Sequence, residues 1–191
     1  MNIAEARALV RERIPSDNLV NHSIAVGIIM SALARRLGFG PGDVERWEIA
    51  GTLHDLDYAE TADDFERHGL VTAEELTGVL DNLQLRAILA HADKAERMAP
   101  MDSALYCADP TTGFIVAAAL VRPDKDIAQV QLKSLTKRWK EKAFARGASR
   151  EQMATCAELG LERDEFLALA LAAMQARAGE IGFQPAGASA D

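Results

Sequence analysis

Between Asp17 and Leu37 the residues Leu19, His22, Val26, Ile29, Leu33 and Leu37 recur at intervals of three and four. That spacing is one stripe of a 3.6-residue period, so the segment is predicted to be a helix with an imidazole, His22, on its buried face. Ser16 or Asp17 supplies its N-cap and Gly38 its stop. The same reading extends along the chain. A helix is expected from about Ile3 to Ile14, ended by Pro15, and another opens at Pro41-Gly42-Asp43 with Trp47, Ala50, Gly51 and His54 on one face. After His68-Gly69 a helix runs to about Thr77, ending at Gly78. From the N-cap Asp81, the residues Leu83, Ala87, Ile88 and His91 mark a further inward stripe. Pro100-Met101-Asp102 starts a helix in which Leu105, Asp109 and Gly113 are spaced by four, and Pro110 should kink it. Ser149 caps a helix to about Leu159, and an Ala-rich helix follows from Glu162 to Ile181, with Phe166, Leu169, Ala170 and Ala173 sharing a face.

The fold class is therefore all-α, a helical bundle with extra C-terminal helices. Composition agrees: 49% of residues are apolar, only 5% are aromatic, and Ala and Leu dominate. At 191 residues one domain is expected over 1–184, with a core at about 17–121, a helical extension at about 126–182 and a disordered tail at 185–191.

A net charge of -8 argues against a nucleic-acid polymer as partner, because neutralising phosphates needs a surplus of Lys and Arg. The N-terminal residues carry Glu5, Arg7, Arg11, Glu12 and Arg13, unlike a signal peptide, and the apolar runs Phe114–Val121 and Leu167–Met174 are short of the ~20 residues that span a bilayer. A cytoplasmic protein with no membrane partner is expected. Cys107 and Cys156 stand apart, without metal-ligand spacing, and read as buried reduced thiols.

The chemistry concentrates on Leu53-His54-Asp55-Leu56-Asp57-Tyr58, where an imidazole and a carboxylate are adjacent. The chain has only four histidines, His22, His54, His68 and His91, and each falls on or beside a helical segment that packing could bring to this dipeptide. Taken singly, His22 or His91 on an apolar face is more simply a hydrogen-bonded core histidine. Taken with Asp55 and Asp109 they form a set of ligand types suited to Fe, Mn, Co, Ni or Zn. Two divalent ions held by four neutral imidazoles and two carboxylates leave a charge of about +2, which favours a phosphate-bearing substrate.

The order His22, His54-Asp55, His68, His91, Asp109 resembles the HD-domain metal-dependent phosphohydrolases in their two-metal branch, over roughly Asp17 to Phe114. The resemblance implies a compact helical bundle with the site in its core. It also implies that His22, His54, Asp55 and Asp109 bind one metal, and that Asp55 bridges to a second metal held by His68 and His91. The activity it implies is hydrolysis of a small phosphorylated substrate, most plausibly a nucleotide, by a metal-activated water. Two alternatives share the ligands: the di-iron oxygenases of the superfamily, and a metal-binding regulatory module without turnover. Many relatives carry a lysine three residues beyond the HD aspartate, where this chain has Tyr58. Asp55, Asp57 and Lys94 are the expected catalytic groups, with Asp57, Lys94 or a residue of the later basic segment standing in for that lysine.

Two further segments have both a plain and a functional reading. Asp57, Glu60, Asp63 and Asp64 read as a solvated acidic connection, or as a lid. Lys133, Lys137, Arg138 and Arg146 belong to a basic stretch that reads equally as an exposed face or as phosphate-binding residues.

Overall fold

In the computed structural model, which describes residues 1–183, ten α-helices are joined by turns and three short 3₁₀ segments. They are α1 (Ile3–Arg13), α2 (Asp17–Arg36), α3 (Pro41–Leu53), α4 (Tyr58–Thr61), α5 (Leu70–Glu75), α6 (Asn82–His91), α7 (Pro100–Leu120), α8 (Leu132–Trp139), α9 (Arg150–Ala154) and α10 (Arg163–Ala176). Among the described residues the only extended pairing is one bridge between Thr77 and Leu80. The all-α expectation holds, and the tail expected at 185–191 lies outside the described residues.

The punctuation acts as the residue types require. Gly38, Gly69, Gly78, Gly160 and Gly182 all have φ between +72° and +83°, the left-handed region where a Cβ is costly. Asp81 closes a capping box on α6: its Oδ1 accepts from the Leu83 and Gln84 amides at 2.8 and 3.1 Å, and Gln84 Oε1 accepts from the Asp81 amide at 3.1 Å. Gln84 is then drawn inward, its amide donating to the Arg46 carbonyl at 2.9 Å, and Leu83 is left 47% exposed rather than on the inner stripe.

Helices α2, α3, α6 and α7 pack around one apolar core in which Ile24, Ile28, Ile29, Leu33, Leu53, Ile88, Leu105, Phe114 and Ile115 are fully buried. The α2–α3 contact is the closest. A Cβ on Gly27 would lie 2.3 Å from Thr52 Oγ1 and 2.7 Å from the Glu48 carbonyl oxygen, and one on Gly51 would lie 2.9 Å from Gly27 Cα. The two backbones touch where neither residue has a side chain, well inside ordinary helix spacing. His22, one turn before Gly27, is thereby brought to His54, which ends α3, with ring centroids 5.3 Å apart.

Helix α7 runs unbroken through Pro110 to Leu120. It is long and apolar enough by composition to cross a bilayer, but 67% of that window is buried, so it is the central helix of the bundle. Cys107 and Cys156 are both buried and free, and burial pushes both thiols up, Cys107 the more strongly.

Four side chains clamp α1 and the 3₁₀ segment Ala178–Ile181 to α3. Arg7 reaches Glu48 at 2.9 Å and Glu180 at 2.6 Å, while Arg177 reaches Glu48 at 2.8 Å and Glu180 at 2.7 Å. The network joins α1, α3 and the 3₁₀ segment Ala178–Ile181, with Glu48 nearly buried. Removing Glu48 sets two guanidiniums against each other. Glu48→Ala is expected to lower unfolding stability by about 2 kcal/mol in urea titrations, less than for a fully sealed pair because both arginines keep some solvent. Removing Glu165 from its exposed pair with Arg36 should cost less than about 1 kcal/mol.

Candidate metal centre

Six side chains from five segments converge around the Asp55 carboxylate. Asp55 Oδ1 lies 3.3 Å from His54 Nε2, 3.4 Å from His68 Nε2 and 3.5 Å from His91 Nε2. Asp55 Oδ2 faces His22 Nε2 at 3.4 Å, and Asp109 Oδ1 is 3.2 Å from the same nitrogen and 3.8 Å from His54 Nε2. The structure thus gathers around Asp55 every residue expected as a metal ligand.

The other ring nitrogens explain the orientation. His54 Nδ1 is 2.8 Å from the Gly51 carbonyl oxygen, and His91 Nδ1 contacts that of Ile88. A carbonyl can only accept, so both Nδ1 atoms carry protons. His68 Nδ1 donates to Asp57 Oδ1 at 2.9 Å. The Thr112 hydroxyl gives its single proton to the Asp109 carbonyl at 2.9 Å, so at 2.8 Å from His22 Nδ1 it must accept. All four imidazoles in their neutral form therefore present an Nε2 lone pair to the Asp55–Asp109 carboxylates.

Four lone pairs facing two carboxylates repel one another unless a cation lies between them. His54 Nε2 is fully buried and makes no hydrogen bond among the described residues, the situation that buried polar atoms normally avoid. Two groups have their ligand atoms within 4.8 Å of one another: His22, His54 and Asp109, and His54, Asp55 and His91. The donor set fits divalent ions; both groups draw on the one free nitrogen of His54, so a second ion would rest on Asp55 and His91 with His68, whose Nε2 lies 3.4 Å from Asp55 Oδ1. Without metal the site attracts protons instead. Burial by itself would depress His22, but Asp109 and Asp55 outweigh it and raise its pKa to about 9. His54 is likewise raised, against burial, by the same two carboxylates. Burial would push Asp55 and Asp109 up, yet the neighbouring imidazoles hold both well below the usual carboxylate range. Metal and protons thus compete for the same nitrogens.

Asp57 is not placed to act on a substrate. It is 4% exposed, not solvated, and both oxygens are engaged: Oδ1 accepts from His68, and Oδ2 accepts from the Gly69 and Thr72 amides, each at 2.9 Å. Although burial opposes it, these bonds from His68 and Thr72 lower its pKa and keep it ionised. Asp57 thus caps the start of α5 and fixes the His68 tautomer, a positioning role in place of the catalytic one expected. Lys94 pairs with Glu66 at 3.3 Å and lines a surface cavity with Asp93, Arg97 and Glu158, in which none of the six ligands takes part. Tyr58 contributes no charge where the lysine of many relatives would stand; its ring lies edge-on to His68, centroids 5.7 Å apart.

The site opens on one side. The side chains of His54, His91 and His68 are 0%, 2% and 5% exposed, whereas His22 and Asp109 are 22% and 29% exposed. A cavity of about 270 Å³ lies there, walled by His22, Asp109 and Gly113 on one side and by Ala145, Gly147 and Ala148 on the other. Arg150 holds that far wall: it donates to the carbonyls of Phe144, Ala145 and Ala148 at 2.7, 3.2 and 2.7 Å and stacks over Phe114 at 4.3 Å. Arg146 is exposed on the same turn. Lys133, Lys137 and Arg138 instead line a separate groove of about 310 Å³ with none of the six ligands in it. Sequence reasoning missed Thr112 and Arg150. The signal for Thr112 is its place three residues after Asp109, on the same face of α7; for Arg150 there is none beyond its charge.

A buried cluster of neutral imidazoles around a shared carboxylate, enclosed by helices and open at one edge, defines a dinuclear metal centre. The HD domain matches residues 19–120, more than half of the chain, and the protein belongs to that family. No curated protein and no solved structure matches the chain. With the family assigned and its metal clusters intact, the chain is a metal-dependent phosphohydrolase.

The Asp57 contact gives a test. Asp57→Ala releases His68 from its tautomer, and the affinity for one metal equivalent should fall about 10- to 100-fold in competition with a chromogenic chelator. Unchanged affinity for both equivalents would remove Asp57 from the metal shell.

Proposed function

We propose that the six convergent side chains bind two divalent ions, and that the protein hydrolyses a small phosphomonoester, a nucleotide best matching its open edge. The observation that carries this reading is the set of four Nε2 lone pairs held on the Asp55–Asp109 carboxylates by four independent Nδ1 hydrogen bonds. His22, His54, Asp55, His68, His91 and Asp109 would hold the divalent ions, which when bound would supply Lewis acidity toward phosphoryl oxygens and a water acidic enough to act as nucleophile at neutral pH.

The protein's own contribution is placement. Asp55 offers one oxygen to His22 and the other to the three remaining imidazoles, the arrangement of a shared ligand between two positions. Helices α2, α3 and α6 seal the inner face, so substrate enters beside His22 and Asp109. There the wall held by Arg150 keeps the phosphate close to the ligands, and the exposed Arg146 stands between Ala145 and Gly147, two residues of that wall. Fixed groups of this kind need no reorganisation as charge develops, which is the general source of electrostatic catalysis.

Asp55→Ala is expected to abolish both metal binding and turnover against a panel of phosphomonoesters, measured as phosphate released and as metal per chain. Activity of the wild type should be equal with and without dioxygen. Retained metal and retained turnover in the Asp55 variant would overturn the assignment.

The four basic residues divide in the same way. Arg146→Ala should raise KM about 10-fold, the loss of one charge-assisted contact, whereas Lys133→Ala should leave KM within about 2-fold. Equal effects from both would place phosphate recognition elsewhere.

A further inference from the structure

A second cavity of about 410 Å³ adjoins the open edge of the metal centre, lined among others by Asn18, Asn21, Val116, Leu120 and Phe183. It shares His22 and Gly113 with the smaller cavity beside Asp109. The two spaces lie on either side of a ridge of α7. Gly113 and Ala117 face the smaller one, while Gly113, Val116 and Leu120 face the larger, as i, i+4 and i, i+3 spacing dictates.

Gly113 has no structural need to be glycine. It sits in the middle of a 21-residue helix, where glycine is destabilising relative to alanine, and its φ is not in the left-handed region. A Cβ built there would meet nothing within 4 Å. What its missing side chain does is keep the ridge low between the two cavities.

The larger cavity has a definite chemistry. Among the described residues no Lys, Arg, Asp or Glu lines it. The carboxamides of Asn18 and Asn21 offer paired donors and acceptors, and the remaining walls are largely apolar, with Phe183 presenting an aromatic ring. Its size falls in the range of small-molecule sites. The far wall is built by residues beyond the family match at 19–120: Gly182, with φ +83°, comes so close to α2 that a Cβ there would lie 2.5 Å from Asn21 Nδ2. The Arg7–Glu48–Arg177–Glu180 clamp fixes the 3₁₀ segment that delivers it.

We propose that the larger cavity receives the neutral, hydrogen-bonding organic part of the substrate, a nucleobase in size and chemistry, and that Gly113 is the gap through which it joins a phosphate seated beside Asp109. The placement of the phosphate rests on the phosphohydrolase reading; the chemistry of the cavity does not.

The test uses the full manganese-loaded chain and Gly113→Leu, a substitution expected to raise the melting temperature while closing the gap. Calorimetric binding of adenosine, guanosine, cytidine and uridine is measured for both proteins, together with kcat/KM for the matching nucleoside monophosphates and for methyl phosphate. At least one nucleoside should bind the wild type and bind the variant at least 10-fold more weakly. The ratio of kcat/KM for its monophosphate to that for methyl phosphate should fall at least 10-fold. Absence of nucleoside binding to the wild type, or equal binding to both proteins, overturns the proposal. A nucleoside that binds in a Gly113-dependent way to a protein that hydrolyses no phosphoester overturns the phosphohydrolase reading and leaves the subsite standing. Should the leucine variant melt below the wild type, Val116→Phe, half-buried in the same cavity, supplies the same comparison.

Discussion

The hydrogen bond from each histidine Nδ1 is the interaction on which the rest of the site depends. A neutral imidazole has one proton to place, and placing it on Nδ1 commits Nε2 to being a lone pair. Here the four acceptors are of three kinds: two main-chain carbonyls, a carboxylate and a hydroxyl whose own proton is already committed. None of them belongs to the ligand set, so the orientation of the rings is built into the helices before any cation arrives. A donor set arranged in this way is satisfied only by positive charge, and the directions in which the His22, His54, Asp55 and Asp109 pKa values move record the same demand.

Much of this was legible in the chain. The stripe through His22, the end of α3 at His54 and the capped start of α6 before His91 put three imidazoles on inner faces by periodicity alone, and the helices are found close to those expected. Asp109, spaced by four from Leu105 and Gly113, shares their helix face, one residue before a proline inside the helix.

What periodicity could not give is closure between segments. The stretch from Asp57 to Arg67 is polar and reads as solvated, yet Asp57 is buried because His68, Gly69 and Thr72 fold back onto its carboxylate from 11 to 15 residues away. Leu83 reads as core because it is apolar and in register, but the adjacent Gln84 wins the inward position by closing a cap and bonding the Arg46 carbonyl. The basic stretch shows the same limit in another form. Sequence reports its charge, while the fold sets Lys133, Lys137 and Arg138 in a groove without any of the six ligands and leaves Arg146 exposed between Ala145 and Gly147.

The crossing of α2 and α3 at Gly27 and Gly51 sets a bound on how such a chain can drift. Most core positions exchange one apolar residue for another at modest cost so long as volume is kept. These two have no volume to exchange, since the nearest atoms would stand under 3 Å from an added carbon on either helix. Polarity is free to vary in the turns around them, but size at the crossing is not. The distance between His22 and His54, and with it the coordination chemistry, is inherited from a pair of hydrogen atoms.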